Sequence, residues 1–513
     1  MTRLSLAFLA LSVSIVFAAD VNLLKNADFE HSAAGFVTQK YWAGEVEHLT
    51  GPGLGRSSSG ALQLRTTKKG KDHFGRIMVQ VSIPAVSFRK FRFSVWGKGQ
   101  GKLHLGAIKY IPAVEGKPHY AYDLQENPAD LSEEWQQFSY LLDFSRERIN
   151  KIAPIIELRG ESALALLDDA VLEPVVDPGA TLSFSHPHQI LPLGSNVPEL
   201  YCRYSQGNTV LFLEARFNQE LVKQLELPVS ADGTAMIPAE ICQPPAAGRL
   251  ELTASAGGLS SKLFLQFVPT QEFSASAALS RQVVLPKATH ILYLGDSLSD
   301  YDRGFNYPDK VNFWLNNSNP GKASFHNAGV GGDYITRVYA RLTGGKTHRP
   351  EMYAEIFAAA ADYIFIFLGQ NDTKASSARN FTIPLVTPET QEQLYRNTIA
   401  ILREKSPARL VLISAASTMA DLCRQNTEKR VASGKVANMF GIPQHIEAYN
   451  AILQKLAQEL DLDYIDIYTP MQKHPDKGSL FSPADGVHLS EAGHAFVAEH
   501  ILKYLSGRKG TPQ

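Results

Sequence analysis

From His290 to the C-terminus, short apolar runs alternate with longer stretches of helical spacing, and this alternation restricts the fold more than any other feature of the chain. The runs His290 to Leu294, Tyr363 to Leu368, Arg409 to Ser414 and Tyr464 to Ile467 have the length and composition of buried strands. Between them, Pro388 to Arg403 and Ile446 to Leu460 place apolar residues three and four apart, and Glu491 to Tyr504 does so again near the end. Thr387 stands before a proline at the first helical position, a signature of a helix start. Strands buried on both faces read as continuous apolar runs, so this segment predicts a parallel sheet covered by helices on both sides. In such sheets the reacting groups gather beyond the carboxyl ends of the strands.

That edge is where four polar blocks fall. Gly295-Asp296-Ser297-Leu298-Ser299 follows the first run directly and sets a serine at the end of a strand. A serine is a weak nucleophile without a base. Asp485-Gly486-Val487-His488 supplies one, because an offset of three residues over one turn brings both side chains to one side. Asp485 can then hold the Nδ1 proton of His488 and fix the tautomer whose Nε2 accepts the serine proton. Acyl transfer also needs donors aimed at the developing oxyanion. The loop Asn327-Ala328-Gly329-Val330-Gly331-Gly332-Asp333 can bring backbone amides close to a substrate, and Gly369-Gln370-Asn371-Asp372 brings the Asn371 amide to the same edge. The elbow Gly-x-Ser-x-Gly of the α/β-hydrolases is not met, since its last position is Ser299.

In this order the four blocks resemble those of the GDSL/SGNH hydrolase family, within one domain spanning residues 288–507. The resemblance implies a flavodoxin-like three-layer α/β domain with Ser297 as nucleophile and His488 and Asp485 as its proton relay. It also implies an oxyanion hole made of the Ser297 amide, a glycine amide of the second block and Asn371. Gly332 is the expected glycine because it precedes Asp333 in the family's Gly-Asp pattern, with Gly329 and Gly331 as neighbouring alternatives. No metal and no other cofactor is expected at the catalytic site; His326, His348, His445 and His474 lack a paired acid at ligand spacing. Asn371-Asp372-Thr373 is also a glycosylation sequon, and a glycan there would block the oxyanion hole, which points to a bacterial exported enzyme.

At 513 residues the chain exceeds one hydrophobic core, and its upstream half is β in character. Residues 20–176 carry short apolar runs (Ile77 to Ile83, Phe91 to Trp96, Ala153 to Glu157) broken by glycine-rich turns. With the opening Asn22 to Glu30, Phe93 to Gly99 and the closing Leu167 to Glu173, this segment resembles the galactose-binding-like β-sandwich modules attached to carbohydrate-active enzymes. That resemblance implies aromatic side chains stacking on sugars, for which Trp42, Tyr110 and Tyr120 are the candidates, while Trp96 and Trp135 read as core. Residues 177–275 are expected to form a second, immunoglobulin-like β domain, with a strand at Val210 to Phe217 and a hairpin turning at Gly257-Gly258. A linker at 276–287 and a tail at 508–513 complete this multidomain reading: two β-sandwiches followed by the α/β domain.

Residues 1–19 have one basic side chain, an apolar run from Leu4 to Phe17 and small residues at Ala18 and Ala19, the pattern of a removed secretory signal. A secreted or periplasmic protein without a membrane span is therefore expected. The formal net charge of -1 argues against nucleic acid as a partner. Cys202, Cys242 and Cys423 allow at most one bridge, between Cys202 and Cys242, or else three buried thiols. Together these features predict a secreted serine esterase releasing small acyl groups, acetyl foremost, from a polysaccharide or glycan. The alternatives are a lipid, aryl or thioester hydrolase of the same family, acyl transfer to another alcohol, and a glycan-binding surface protein with a vestigial hydrolase domain. Partners are thus an acylated carbohydrate or another small ester; the sequence does not define an oligomeric state.

Overall fold

The structure, a computed structural model, describes residues 22–507 except 25–27, 31–35, 38–42, 57–58, 70–71, 80–88, 111–119, 145–148, 150 and 187. The expected signal segment 1–19, the tail 508–513 and Trp42 lie outside the described residues. The chain divides into two compact units. One comprises the chain up to Pro187 with Asn196–Pro244 and Arg249–Leu263; the other comprises His188–Ser195, Pro245–Gly248 and everything from Phe264 onward.

The first unit is β-rich. Its ten-stranded sheet is organised by two long antiparallel strands, Lys90–Tyr110 and Lys151–Pro174. Strands of this length bend rather than stay flat, and the register shifts at Arg159/Leu164 and Asp168/Val171 mark where they do so. Alternation sorts the side chains: Phe91, Phe93, Val95, Leu103, Leu105, Ile156 and Leu158 enter one core, while Arg76 pairs with buried Glu157 on the opposite face. Of the apolar runs read from sequence, Phe91 to Trp96 falls in Lys90–Tyr110 and Ala153 to Glu157 in Lys151–Pro174, while Ile77 to Ile83 starts in Asp72–Val79 and its residues 80–83 lie outside the described residues. Further along, Thr209–Phe217 pairs with Glu220–Val229 and with Gly248–Ala256. Gly248–Ala256 and Leu259–Val268 are neighbours in one sheet, with Gly257 and Gly258 between them. Cys202 and Cys242 are separate buried thiols rather than a bridge, and burial raises both thiol pKa values.

The second unit is built on five parallel strands in the spatial order Ala323–Asn327, Thr289–Gly295, Tyr363–Phe367, Arg409–Ile413, Asp463–Ile465. Each central strand feeds two cores. Tyr293, Phe365, Phe367, Val411 and Ile413 pack with Tyr307, Val311, Val497 and Ile501. Their neighbours Leu292, Leu294, Ile364, Ile366 and Leu412 pack with Val338, Tyr395, Ile399, Ile446 and Leu453. This explains why these strands read as unbroken apolar runs. Helices Pro388–Lys405, Pro443–Glu459 and Glu491–Ser506 fall where helical spacing placed them, and the Thr387 hydroxyl caps the first at Thr390 N, 3.4 Å.

Two sequence expectations need correction, and one helix was not expected. The segment 276–287 is not a plain linker: Thr270–Ser280 is a helix whose Ala277 is buried, with Phe273 and Leu279 packed on the core. Its Ser and Ala content resembles a linker, yet small residues also suit close helix packing. The expected domain limit at 275 accordingly lies inside the second unit, whose longest continuous stretch starts at Phe264. Outside the stretches of helical spacing read from sequence, the helix Ala420–Ala432 also forms; it buries only Cys423 and Thr427 and so leaves no apolar periodicity to read. Among the described residues no helix is long and apolar enough to cross a membrane.

Candidate active site

The strand Thr289–Gly295 runs into a four-residue helix, Ser297–Asp300, through a tight turn. A Cβ at Gly295 would lie 2.1 Å from Ser299 Oγ, so the turn excludes any side chain at that position. Asp296 caps the helix by accepting from Leu298 N at 2.9 Å. Ser297 is thereby fixed at the carboxyl end of the strand whose two neighbours, Ala323–Asn327 and Tyr363–Phe367, lie on opposite sides, the switch point of the sheet.

From the other end of the chain, His488 Nε2 comes within 3.0 Å of Ser297 Oγ, and His488 Nδ1 lies 2.8 Å from Asp485 Oδ2. Asp485 Oδ1 accepts from the amides of Val487 at 2.8 Å and His488 at 2.9 Å. Burial alone would raise the Asp485 carboxyl, but the bonds from the His488 ring and these amides outweigh it and hold the group below the usual carboxylate range. An ionised Asp485 accepts the Nδ1 proton, so Nε2 is the acceptor facing Ser297. The loop is braced from behind: Met419 N donates to Gly486 O at 2.8 Å and Asn426 Nδ2 to Ala484 O at 3.1 Å.

The Tyr301 ring stacks on the His488 imidazole with centroids 4.9 Å apart and 28° between planes. Such a pair is worth about 0.5–1.5 kcal/mol beyond area burial. Tyr301→Ala is therefore expected to lower kcat on an aryl acetate by up to roughly tenfold, and Tyr301→Phe to retain it.

In the glycine loop, Gly329 N donates to Asn327 Oδ1 at 3.0 Å, Gly331 N to Asp300 Oδ2 at 2.8 Å and Val330 N to Gly295 O at 3.0 Å. Gly332 N has no hydrogen-bond partner among the described residues, and neither does Ser297 N. Gly332 has φ +83°, a conformation that favours glycine. Asn371 lies in the short helix Gln370–Thr373, and its Oδ1 accepts from Lys374 Nζ at 3.0 Å. With Oδ1 accepting from the lysine, Nδ2 is the donor of the amide, and the Asn371 side chain also bonds to the Asp296 carboxyl.

Beneath these groups lie two buried carboxyls, Asp296 and Asp372, both pushed up to about 7 by burial; the charge of Asp372 adds to the rise at Asp296. A carboxyl raised in the folded state keeps a proton that the unfolded chain releases above 3.8. Its contribution to stability is present at low pH and is lost as pH climbs through the window from 3.8 to about 7. Asp372 Oδ1 accepts from Ile335 N at 2.9 Å, a bond an asparagine can keep. Asp372→Asn should thus gain stability relative to the wild type as pH rises across that window, read from paired melting curves.

The structure brings Ser297, Asp485 and His488 into one hydrogen-bonded chain, with Gly332 on a loop and Asn371 on a short helix at the same sheet edge. Sequence reasoning did not single out Asp300, Tyr301 or Lys374. All three lie within two residues of the end of a recognised block, so asking what holds each block in place is the signal that would have found them. The recess beside Ser297 has a volume of about 340 Å³ and is lined mainly by polar and aromatic groups, with Leu298 and Leu489 its only aliphatic side chains.

Residues 293–496 match the model of the GDSL-like Lipase/Acylhydrolase family. A GDSL esterase/lipase, WDL1, of Oryza sativa subsp. japonica is 26% identical over 151 residues, which is 29% of this chain and 55% of that protein. The chain thus spans about half the length of that curated relative. Among solved structures, a lipase/acylhydrolase from Enterococcus faecalis is similar over 44% of this chain and 99% of its own, at 20% identity and a TM-score of 0.32. The CBM22-1 xylan-binding domain of Paenibacillus barcinonensis Xyn10C is similar over 30% of this chain and 95% of its own, at 14% identity and a TM-score of 0.25.

Proposed function

We propose, from the match of residues 293–496 to the model of the GDSL-like Lipase/Acylhydrolase family, that the protein is an exported serine esterase that removes small acyl groups, acetyl foremost, from a polysaccharide or glycan. The observation that carries the reading is the continuous contact Asp485–His488–Ser297, at 2.8 and 3.0 Å, beside uncommitted amides at Ser297 and Gly332. In the proposed cycle Ser297 Oγ attacks the ester carbonyl as His488 Nε2 takes its proton. The oxyanion is held by the Ser297 and Gly332 amides and by Asn371 Nδ2. His488 then protonates the leaving alcohol, and a water activated by the same nitrogen releases the acid.

With only Leu298 and Leu489 as aliphatic side chains among its lining residues, the recess supports a small acyl group rather than a long chain, which would need an apolar trough. For the glycan, the support is in the first unit: Tyr120 and Tyr122 expose 47% and 41% of their surface on one strand, with rings 6.0 Å apart. Tyr110 is the cross-strand partner of Tyr120. The test is acetate release from acetylated xylan, pectin and mucin-type glycans, alongside a 4-nitrophenyl acyl series, with wild type, Ser297→Ala and Tyr120→Ala. Serine-dependent acetate release from one polymer, falling with acyl length on the small esters and weakened on the polymer alone by Tyr120→Ala, is the expected result. Rising rates on longer acyl chains with silence on every polymer would replace it with a lipolytic assignment.

A further inference from the structure

The loop 327–333 contains three glycines, yet only Gly332 offers an uncommitted amide, and the side chains that select it never touch the nucleophile's hydroxyl. We propose that Asp300 and Arg349 are positioning residues of the oxyanion hole. Arg349 holds the Asp300 carboxylate, and that carboxylate takes the Gly331 amide so that the next one, Gly332, is left for the reacting carbonyl oxygen. The inference rests on the hydrolase reading above.

Asp300 ends the helix that Ser297 begins, and its side chain is only 10% exposed. Its Oδ2 accepts from Gly331 N at 2.8 Å and from Arg349 Nη1 at 2.7 Å, while its Oδ1 accepts from Arg303 Nη2 at 3.0 Å. Burial opposes the charge, but these donors prevail and keep the carboxyl below its ordinary range. Arg303 carries the tie further, with Nη1 donating to Asn327 O and Nη2 to Gly329 O, each at 2.9 Å. The turn bearing the nucleophile and the loop bearing the oxyanion amide are thus held together by charge-assisted bonds, the stronger class of hydrogen bond.

Arg349 itself sits in a left-handed conformation, φ 50° and ψ 56°, which costs any residue with a Cβ. What imposes that conformation is Arg341. Its guanidinium is fully buried and forms a two-bond pair with Asp333, and its Nε also donates to His348 O at 3.0 Å and Arg349 O at 3.2 Å. Asp333 follows Gly332 in the chain, so the circuit closes. The loop's end anchors Arg341, Arg341 fixes the backbone of Arg349, Arg349 reaches Asp300, and Asp300 ties the middle of the loop to the nucleophile's helix. Strain of this kind persists where surrounding contacts over-determine a geometry, as they do here.

Arg349→Gly is a clean probe, because glycine adopts the left-handed backbone freely while the guanidinium is lost. Asp300→Ala removes the other partner. Loss of an entire oxyanion donor costs about 10²–10³ in turnover, so each variant should lose roughly 10- to 100-fold in kcat on an aryl acetate, with KM within about twofold. The rate at which a methylphosphonate ester traps Ser297 should fall in parallel, and the double variant should be little worse than the worse single one. Arg349→Gly should melt no lower than the wild type, and amide exchange across 327–333 should quicken in both variants. Unchanged kcat and exchange in an active wild-type background would overturn the proposal alone. Lower melting temperatures with kcat per folded molecule intact would reduce the network to a structural role and overturn it equally. A wild type without Ser297-dependent turnover would instead bring down the hydrolase reading on which it rests.

Discussion

Ser297→Ala is expected to lower turnover of a 4-nitrophenyl acetate by about 10⁴-fold or more while leaving the melting temperature nearly unchanged. The small structural cost follows from how Ser297 is held. Its backbone is set by Gly295, by the Asp296 cap and by the register of the strand Thr289–Gly295 with Tyr363–Phe367. The hydroxyl makes a single 3.0 Å contact, to His488 Nε2, in a recess open to solvent that can re-solvate the imidazole. The kinetic cost follows because no acyl-enzyme can form. What survives is direct attack by water, assisted by His488 and the oxyanion donors, and this kind of residual catalysis amounts to about 10³–10⁴ over the uncatalysed rate. The checks are kcat with matched melting curves, and mass spectrometry for an acyl adduct that appears on the wild type and is missing from the variant. Full activity in Ser297→Ala would remove the nucleophile assignment altogether.

The blocks that build the site are local in sequence, and for that reason they were readable. Gly295 to Ser299 and Asp485 to His488 each form a turn whose geometry is set by neighbours within a few residues, and an apolar strand before the first block fixes its depth in the fold. The strand Ala323–Asn327 was not read because it is an edge strand, with Ser324 exposed and no residue buried, so it carries no apolar run. The helix Ala420–Ala432 escaped for a similar reason, since its outward face is polar and it braces the Asp485 loop through a polar side chain, Asn426, and the amide of its cap residue Met419. Furthest from view was the pairing of Asp300 with Arg349, 49 residues apart, because ion pairs leave no periodicity. Choosing Gly332 among three glycines rested on a family pattern in the sequence; its proposed role is supported by the Gly329 and Gly331 amides being already committed.

Asp485→Asn should cost up to about 10⁴ in kcat while the loop keeps its shape, and the two halves of that expectation rest on different oxygens of the same carboxylate. Oδ1 holds the loop by accepting from the amides of Val487 and His488 at 2.8 and 2.9 Å, and an asparagine can place its own oxygen there and keep both bonds. Oδ2 is the atom 2.8 Å from His488 Nδ1, and in the variant that position becomes an NH2 group. A donor facing Nδ1 favours the tautomer with its proton on Nε2, which cannot accept the proton of Ser297 Oγ. Flipping the amide to restore an acceptor at Nδ1 would point the NH2 group at two backbone amides, so the loop itself selects the inactive tautomer. Asp485→Ala lacks that donor and leaves the ring free to adopt either tautomer. It is therefore expected to retain more activity than Asp485→Asn, though with a lower melting temperature because the two amides lose their acceptor. Measuring kcat and melting temperature for both variants tests the argument. Equal activity in the two, or an asparagine variant that melts as low as the alanine one, would show that Asp485 acts through its charge and not through the division of roles between its oxygens.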